Sequence, residues 1–184
     1  MLKMMYFCLV VVFYIGSTSW AHPVALDQNQ SNDGQGSGES INQDIRRQLT
    51  NEGWYLTGHF AYKLTTERQS WWAGRYACQS MGGELAVHGV RDNALRWEIA
   101  RELYVGPVWI GLWVGLDDLE TDMKWKWTDG SLATDNEIVW SPQEPNGGRR
   151  ENCGEMWGED RRFTMNDNPC CDDRYALCER KIVS

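Results

Sequence analysis

The spacing of apolar residues changes several times along this chain, and the changes divide it into parts. Met4 to Gly16 is almost unbrokenly apolar behind one positive charge, Lys3, and the small residues of Ser17 to Ala21 follow. That is the layout of a secretory signal peptide over residues 1–21, with a small-x-small cleavage site at Ser19-Trp20-Ala21. The apolar run is too short to span a bilayer comfortably, so no membrane span is expected. Residues 22–52 read as a flexible linker and short N-terminal segment: up to Glu39 they are rich in Gln, Asn, Ser and Gly and bury too little apolar surface to offset their chain entropy. Asn29-Gln30-Ser31 in that stretch is a glycosylation acceptor sequence. Behind Ser40, the residues Ile41, Ile45 and Leu49 recur every fourth position, the pattern of a short amphipathic helix.

From Gly53 the texture is that of a folded domain, and nearly all of the eleven tryptophans lie in it. Ser70 stands ahead of Trp71 to Met81 and Gly82-Gly83 behind, a hydroxyl N-cap and a glycine stop bracketing one helix. Glu84 to Val87 is a short extended run. Asp92 or Asn93 caps a second helix, with Leu95, Ile99 and Leu103 on one stripe and Gly106-Pro107 at its end. After it come short apolar or aromatic runs divided by turn residues: Val108 to Trp113, Lys124 to Thr128, Cys153 to Trp157 and Tyr175 to Glu179. These read as strands joined by long loops. The fold class is therefore α+β, two helices followed by small antiparallel sheets.

Cysteine usage agrees with secretion. Cys8 leaves with the signal peptide, and Cys78, Cys153, Cys170, Cys171 and Cys178 remain as disulfide candidates in an extracellular protein. The number is odd, so one is left unpaired or bonds to another chain. Zinc is a poor fit, since the histidines are only His22, His59 and His88 and no Cys-x-x-Cys pair occurs. The formal net charge of −8 argues against nucleic-acid partners, which require a basic face. No HExxH, no G-x-S-x-G and no Cys-His pair suggests an enzyme.

What the acidity offers is concentrated between residues 117 and 173. Glu144, Asn146 and Glu151 form one cluster of oxygen donors, and Asn166 with Asp167 a second. Pro145, Asn146, Gly147 and Gly148 would also suit a plain surface turn. Three carboxylates with two carboxamides nevertheless make a good calcium set, because calcium takes six to eight oxygens in flexible geometry, and such a set leaves positions open for a ligand's hydroxyls.

These residues resemble the C-type lectin-like domain. Trp109-Ile110-Gly111-Leu112 looks like its WIGL core signature, Glu144-Pro145-Asn146 like the EPN motif of its mannose-type members, and Glu151-Asn152-Cys153 like the acid ahead of a framework cysteine. Asn166-Asp167 before Cys170 is similar to its WND-x-x-C segment, and the step to Cys178 matches as well. The resemblance covers residues 53–181 in order, in the short two-disulfide form seen in secreted single-domain lectins of invertebrate type. It implies the pairs Cys78–Cys178 and Cys153–Cys170, leaving Cys171 unpaired or interchain, where it would link a homo-oligomer. It implies Ca2+ held by Glu144, Asn146, Glu151, Asn166 and Asp167, and a cis bond at Pro145.

The resemblance also implies a role for each group. Two neighbouring sugar hydroxyls complete the calcium shell. Glu144 and Glu151 accept hydrogen bonds from them, and Asn146 and Asn166 donate. The same five residues, Asp167 included, then form the carbohydrate site, and the order Glu then Asn at 144 and 146 goes with glycans bearing equatorial vicinal hydroxyls, such as mannose, N-acetylglucosamine and fucose. Gly147-Gly148 agrees, since galactose binders often carry a stacking tryptophan there. The sequence departs from the family at Met165, where tryptophan is usual, and at Gly147 and Asn152, where acids often serve an auxiliary calcium. Asp117, Asp118, Glu120 and Asp122 sit on a longer loop, and that second position stays unassigned, as does the role of Arg149-Arg150. The implied function is a secreted, calcium-dependent carbohydrate-binding protein of innate defence or cell-surface recognition. The alternative is a lectin-like acidic protein of matrix or mineral surfaces with incidental sugar binding.

Overall fold

The computed structural model describes residues 37–103, 111–134, 136–158 and 163–182, with side chains from residue 40. Residues Gly38–Ser184 form one compact unit, and the description below concerns it. The segment expected to be a signal peptide, most of the expected linker, Asn29, and Trp109 and Ile110 lie outside the described residues.

The linker region ends in a helix, α1 (Ser37–Asn51). Of its expected stripe, Leu49 is fully buried and Ile45 partly, whereas Ile41 is exposed. A hairpin, β1 (Tyr55–Thr57) and β2 (Phe60–Leu64), leads to α2 (Trp71–Ser80). Ser70 Oγ accepts the Ala73 N–H at 3.3 Å, so the hydroxyl caps the helix as its position suggests. At the other end Gly82 takes φ +76°, which an L side chain resists, and the chain leaves the helix there. Trp71, Gly74 and Cys78 form the helix face that packs on the sheet.

Beyond β3 (Glu84–Leu85) an additional helical turn comes before the expected second helix. A single turn, α3 (His88–Arg91), precedes α4 (Asn93–Leu103), and Asp92 Oδ1 accepts the Leu95 N–H at 2.9 Å to start it. Ile99 is buried as the stripe requires. Arg96, on the same helix, is buried too: its guanidinium donates to Val90 O at 2.8 Å and to Asn93 Oδ1.

The remaining strands are β4 (Leu112–Asp117), β5 (Lys126–Trp127), β6 (Cys153–Trp157), β7 (Thr164–Asn168) and β8 (Tyr175–Lys181). The sheet runs β1-β2-β8-β4-β6-β7, with β3 on β8 and β5 on β4. It is mixed, where small antiparallel sheets were expected: β8 lies parallel to β4, Leu112 opposite Tyr175, because the chain's last strand is inserted between β2 and β4. The insertion buries both faces of the central strands. On β4, Leu112, Val114 and Leu116 enter one apolar cluster and Trp113 the other; on β8, Leu177 enters the first and Ala176 and Cys178 the second. Two-sided burial explains why the Gly111–Leu116 run shows no polar alternation.

Cys78–Cys178 fastens α2 to β8 across 100 residues, and Cys153–Cys170 ties β6 to the segment after β7 across 17. In the chain-entropy model loops of those lengths contribute roughly 5 and 3 kcal/mol. Cys171, expected to be unpaired or interchain, is disulfide-bonded in this structure.

Candidate functional site

The loop between β5 and β6 is stitched to β7 before it reaches the Glu-Pro-Asn segment. Met165 N–H donates to Val139 O and Ser141 N–H to Met165 O, both at 2.8 Å, and Ser141 and Thr164 share a hydroxyl–hydroxyl bond of 2.6 Å. Met165 is fully buried in the larger apolar cluster, so the residue in place of the family's tryptophan serves as core. The chain then turns: Glu144 N–H bonds to Ser141 O at 3.0 Å, and the Glu144–Pro145 peptide is cis.

Asp167, 1% exposed on β7, reaches this turn. Its Oδ1 accepts the Asn146 N–H at 3.0 Å and its Oδ2 the Gly147 N–H at 2.9 Å. Next come a 3-10 turn, Gly148–Arg150, and then Glu151, which folds back over Gly147: a Cβ built on Gly147 would fall 2.2 Å from the Glu151 side chain. Glycine stands there because the returning glutamate occupies that space.

Glu144, Glu151 and Asp167 are thus gathered with only Arg150 near enough to offset part of their charge, and their electrostatics register it. Burial raises the Glu144 carboxyl to about 7, helped by a hydrogen bond shared with Asp167 and by the negative charges of Asp167 and Glu151. Burial also raises Glu151, and the charge of Asp167 adds to it while Arg150 offsets part. Glu144 Oε2 is buried with no hydrogen-bond partner, an arrangement that costs free energy unless a cation or donor arrives.

Asn166 is placed differently. On β7 it stands directly opposite Glu155 of β6, and its Nδ2 donates to Glu155 Oε1 at 2.9 Å. Its carbonyl oxygen is left for another ligand. The structure therefore joins Glu144, Asn146, Glu151 and Asp167 in one turn and holds Asn166 at the adjacent position through a partner the sequence reading missed. Glu155 carries a legible signal: a carboxylate inside the apolar strand Cys153–Trp157 must be buried and must find partners. Among the described residues no three His, Cys, Asp or Glu side chains are arranged as a ready metal centre. Two of the five candidate donors are carboxamides, and Asp167 is engaged by backbone amides. The donor set still fits calcium: every group is a hard oxygen, negative charge is in excess, and one buried carboxylate oxygen lacks a partner.

Beside this turn, Asp118, Glu120, Asp122, Arg149 and Asn152 line a cavity. Asp118 Oδ1 and Asp122 Oδ1 are buried without partners, and burial raises the carboxyls of Asp117 and Asp118. Arg149 Nε lies 3.6 Å from Asp122, so a protein cation faces this acidic cavity. His88 belongs elsewhere, stacked on Phe60 and bonded to Glu179 at 2.8 Å.

Comparison with known proteins agrees with this geometry. The family model of the Lectin C-type domain matches residues 67–180. C-type mannose receptor 2 of human and mouse is 34% identical over 127 residues; the match takes in 67% of this chain and 8% of the receptor, so the chain spans a small part of that relative. Among solved structures, the carbohydrate-recognition domain of cow CD23, determined in the presence of a GlcNAc2Man3 oligosaccharide, matches at TM-score 0.61 and 26% identity over 72% of this chain and 96% of that one. A calcium-independent type II antifreeze protein shares the fold at TM-score 0.59 and 21% identity, over 71% and 93%. With the family model matching well over half of its length and with both expected disulfides in place, this chain belongs to the C-type lectin domain family.

Proposed function

We propose that the chain is a secreted, calcium-dependent carbohydrate-binding protein for glycans with equatorial vicinal hydroxyls, acting in glycan recognition in defence or at cell surfaces. It is not an enzyme; members of its family bind carbohydrate without turning it over. The observation that carries the reading is the buried, unpartnered Glu144 Oε2 beside Glu151 and Asp167. Bound calcium would neutralise these carboxylates and offer coordination positions to two sugar hydroxyls.

The protein groups do the rest. Glu144, Asn146, Glu151, Asn166 and Asp167 hold the ion. Glu144 and Glu151 accept hydrogen bonds from the sugar hydroxyls, and Asn146 and Asn166 donate from their amide nitrogens. Asp167 keeps the turn against β7 through the Asn146 and Gly147 amides, so that the Glu-Pro-Asn segment is placed before the sugar arrives. The two disulfides suit an oxidising, extracellular setting, and no helix among the described residues is long and apolar enough to cross a membrane. A single sugar contact buries little surface, so useful avidity would need several copies.

A second reading, a lectin-fold protein working through its acidic surface, draws on the calcium-independent antifreeze protein that shares the fold. Mannose-agarose separates the two. Retention in calcium with release by EDTA is expected; retention indifferent to EDTA, or none, would favour the second reading.

A further inference from the structure

The buried ion pair Glu155–Arg174 has no part in the ligand set, yet it touches it. Glu155 is 4% exposed on β6. Its Oε2 accepts from Arg174 Nε at 2.8 Å and its Oε1 from Asn166 Nδ2 at 2.9 Å. Arg174 is fixed in turn: its backbone exchanges hydrogen bonds with Gln69 at 2.8 and 3.0 Å, its guanidinium carbon lies 5.9 Å from the centre of the Trp113 ring, and a second nitrogen donates to Asp172 at 3.3 Å. The residue just before β4, Gly111, makes room for the pair. A Cβ on Gly111 would fall 1.9 Å from Glu155 Oε2, so that position is glycine because the carboxylate fills its side-chain space.

We propose that Glu155 is a positioning residue that fixes which way the Asn166 carboxamide faces. A carboxylate only accepts. Asn166 must therefore turn its NH2 toward Glu155, and its Oδ1 is the atom left for calcium, with the second amide hydrogen left for a sugar hydroxyl. Arg174 holds the carboxylate in register and balances its charge. This inference rests on the calcium-site reading above, but the hydrogen bond it invokes exists without metal and can be tested without it.

Glu155→Gln supplies the test. Glutamine offers one acceptor and one donor to two partners that both donate. Its oxygen goes to the charged Arg174, its NH2 meets Asn166, and the Asn166 carboxamide turns over, presenting NH2 to the cation. Adding Arg174→Met removes the competing donor, frees the glutamine oxygen for Asn166 and should restore the original orientation. Wild type, E155Q and E155Q/R174M are compared by NMR of the Asn166 side-chain amide in calcium-free buffer, and by calcium titration.

The expected result is a slowly exchanging Asn166 amide in wild type, lost in E155Q and regained in the double variant. Calcium affinity should fall roughly 10- to 100-fold in E155Q, the range typical of groups that orient metal ligands, and recover in the double variant. An unchanged Asn166 amide in E155Q, or a double variant that binds calcium no better than E155Q, overturns the proposal. Should E155Q fail to fold, the double variant decides alone: a protected Asn166 amide with near wild-type calcium affinity supports the proposal, and weak affinity with that amide unprotected overturns it. A wild-type protein with the protected amide but no calcium binding would refute the site reading while leaving the contact standing.

Discussion

Asp167 and Asn146 meet through a hydrogen bond of 3.0 Å from the Asn146 backbone to a carboxylate oxygen that is sealed from solvent, and Gly147 takes the other oxygen. One side chain therefore holds the Glu-Pro-Asn turn against the sheet before any ion is bound. In Asp167→Asn one acceptor becomes a donor facing the Asn146 or Gly147 N–H. That loss should lower stability by about 1–3 kcal/mol in EDTA, seen as an earlier urea midpoint, and should abolish calcium-dependent sugar retention. A variant as stable as wild type in EDTA would mean the turn is held by something else.

Exchanging the acceptor and donor at positions 144 and 146, Glu144→Gln with Asn146→Asp, should shift preference from mannose toward galactose while calcium is still bound. Competitive elution with the two sugars reads the change. An unaltered sugar profile would refute the donor–acceptor account of specificity.

Calcium should stabilise the protein more as pH rises toward neutrality. In the calcium-free fold, burial and the neighbouring acids raise the Glu144 carboxyl from its ordinary value to about 7. A carboxyl raised on folding favours the folded state at pH below its unfolded value, and that contribution is lost as pH climbs through the folded one. Calcium binds the ionised form, so its stabilising increment is small at pH 5, grows to about pH 7 and then levels off. Thermal unfolding with calcium and with EDTA across pH 5–8 measures it, and an increment that does not change with pH would contradict the assignment of Glu144.

How much of this could be read from the chain depended on how local each signal was. The Ser70 cap and the Gly82 exit of α2 are signals within a few residues, and both appear as read. The disulfide partners and the Glu-Pro-Asn segment were legible because the resemblance carried their order and spacing. The insertion of β8 beside β4 was not, since parallel pairing joins segments some sixty residues apart and leaves no local trace. Arg96 escaped because a buried arginine looks like a surface one until its acceptors at Val90 and Asn93 are in place. Glu155 could have been suspected from its apolar neighbours, but its partners come from β7 and from the segment before β8.

The most direct measurement of the central claim is a glycan array probed with the protein in calcium and again in EDTA. Binding confined to glycans that expose mannose, N-acetylglucosamine or fucose, present with calcium and absent without it, is the predicted result. Binding that survives EDTA, or no glycan bound in calcium, would contradict it.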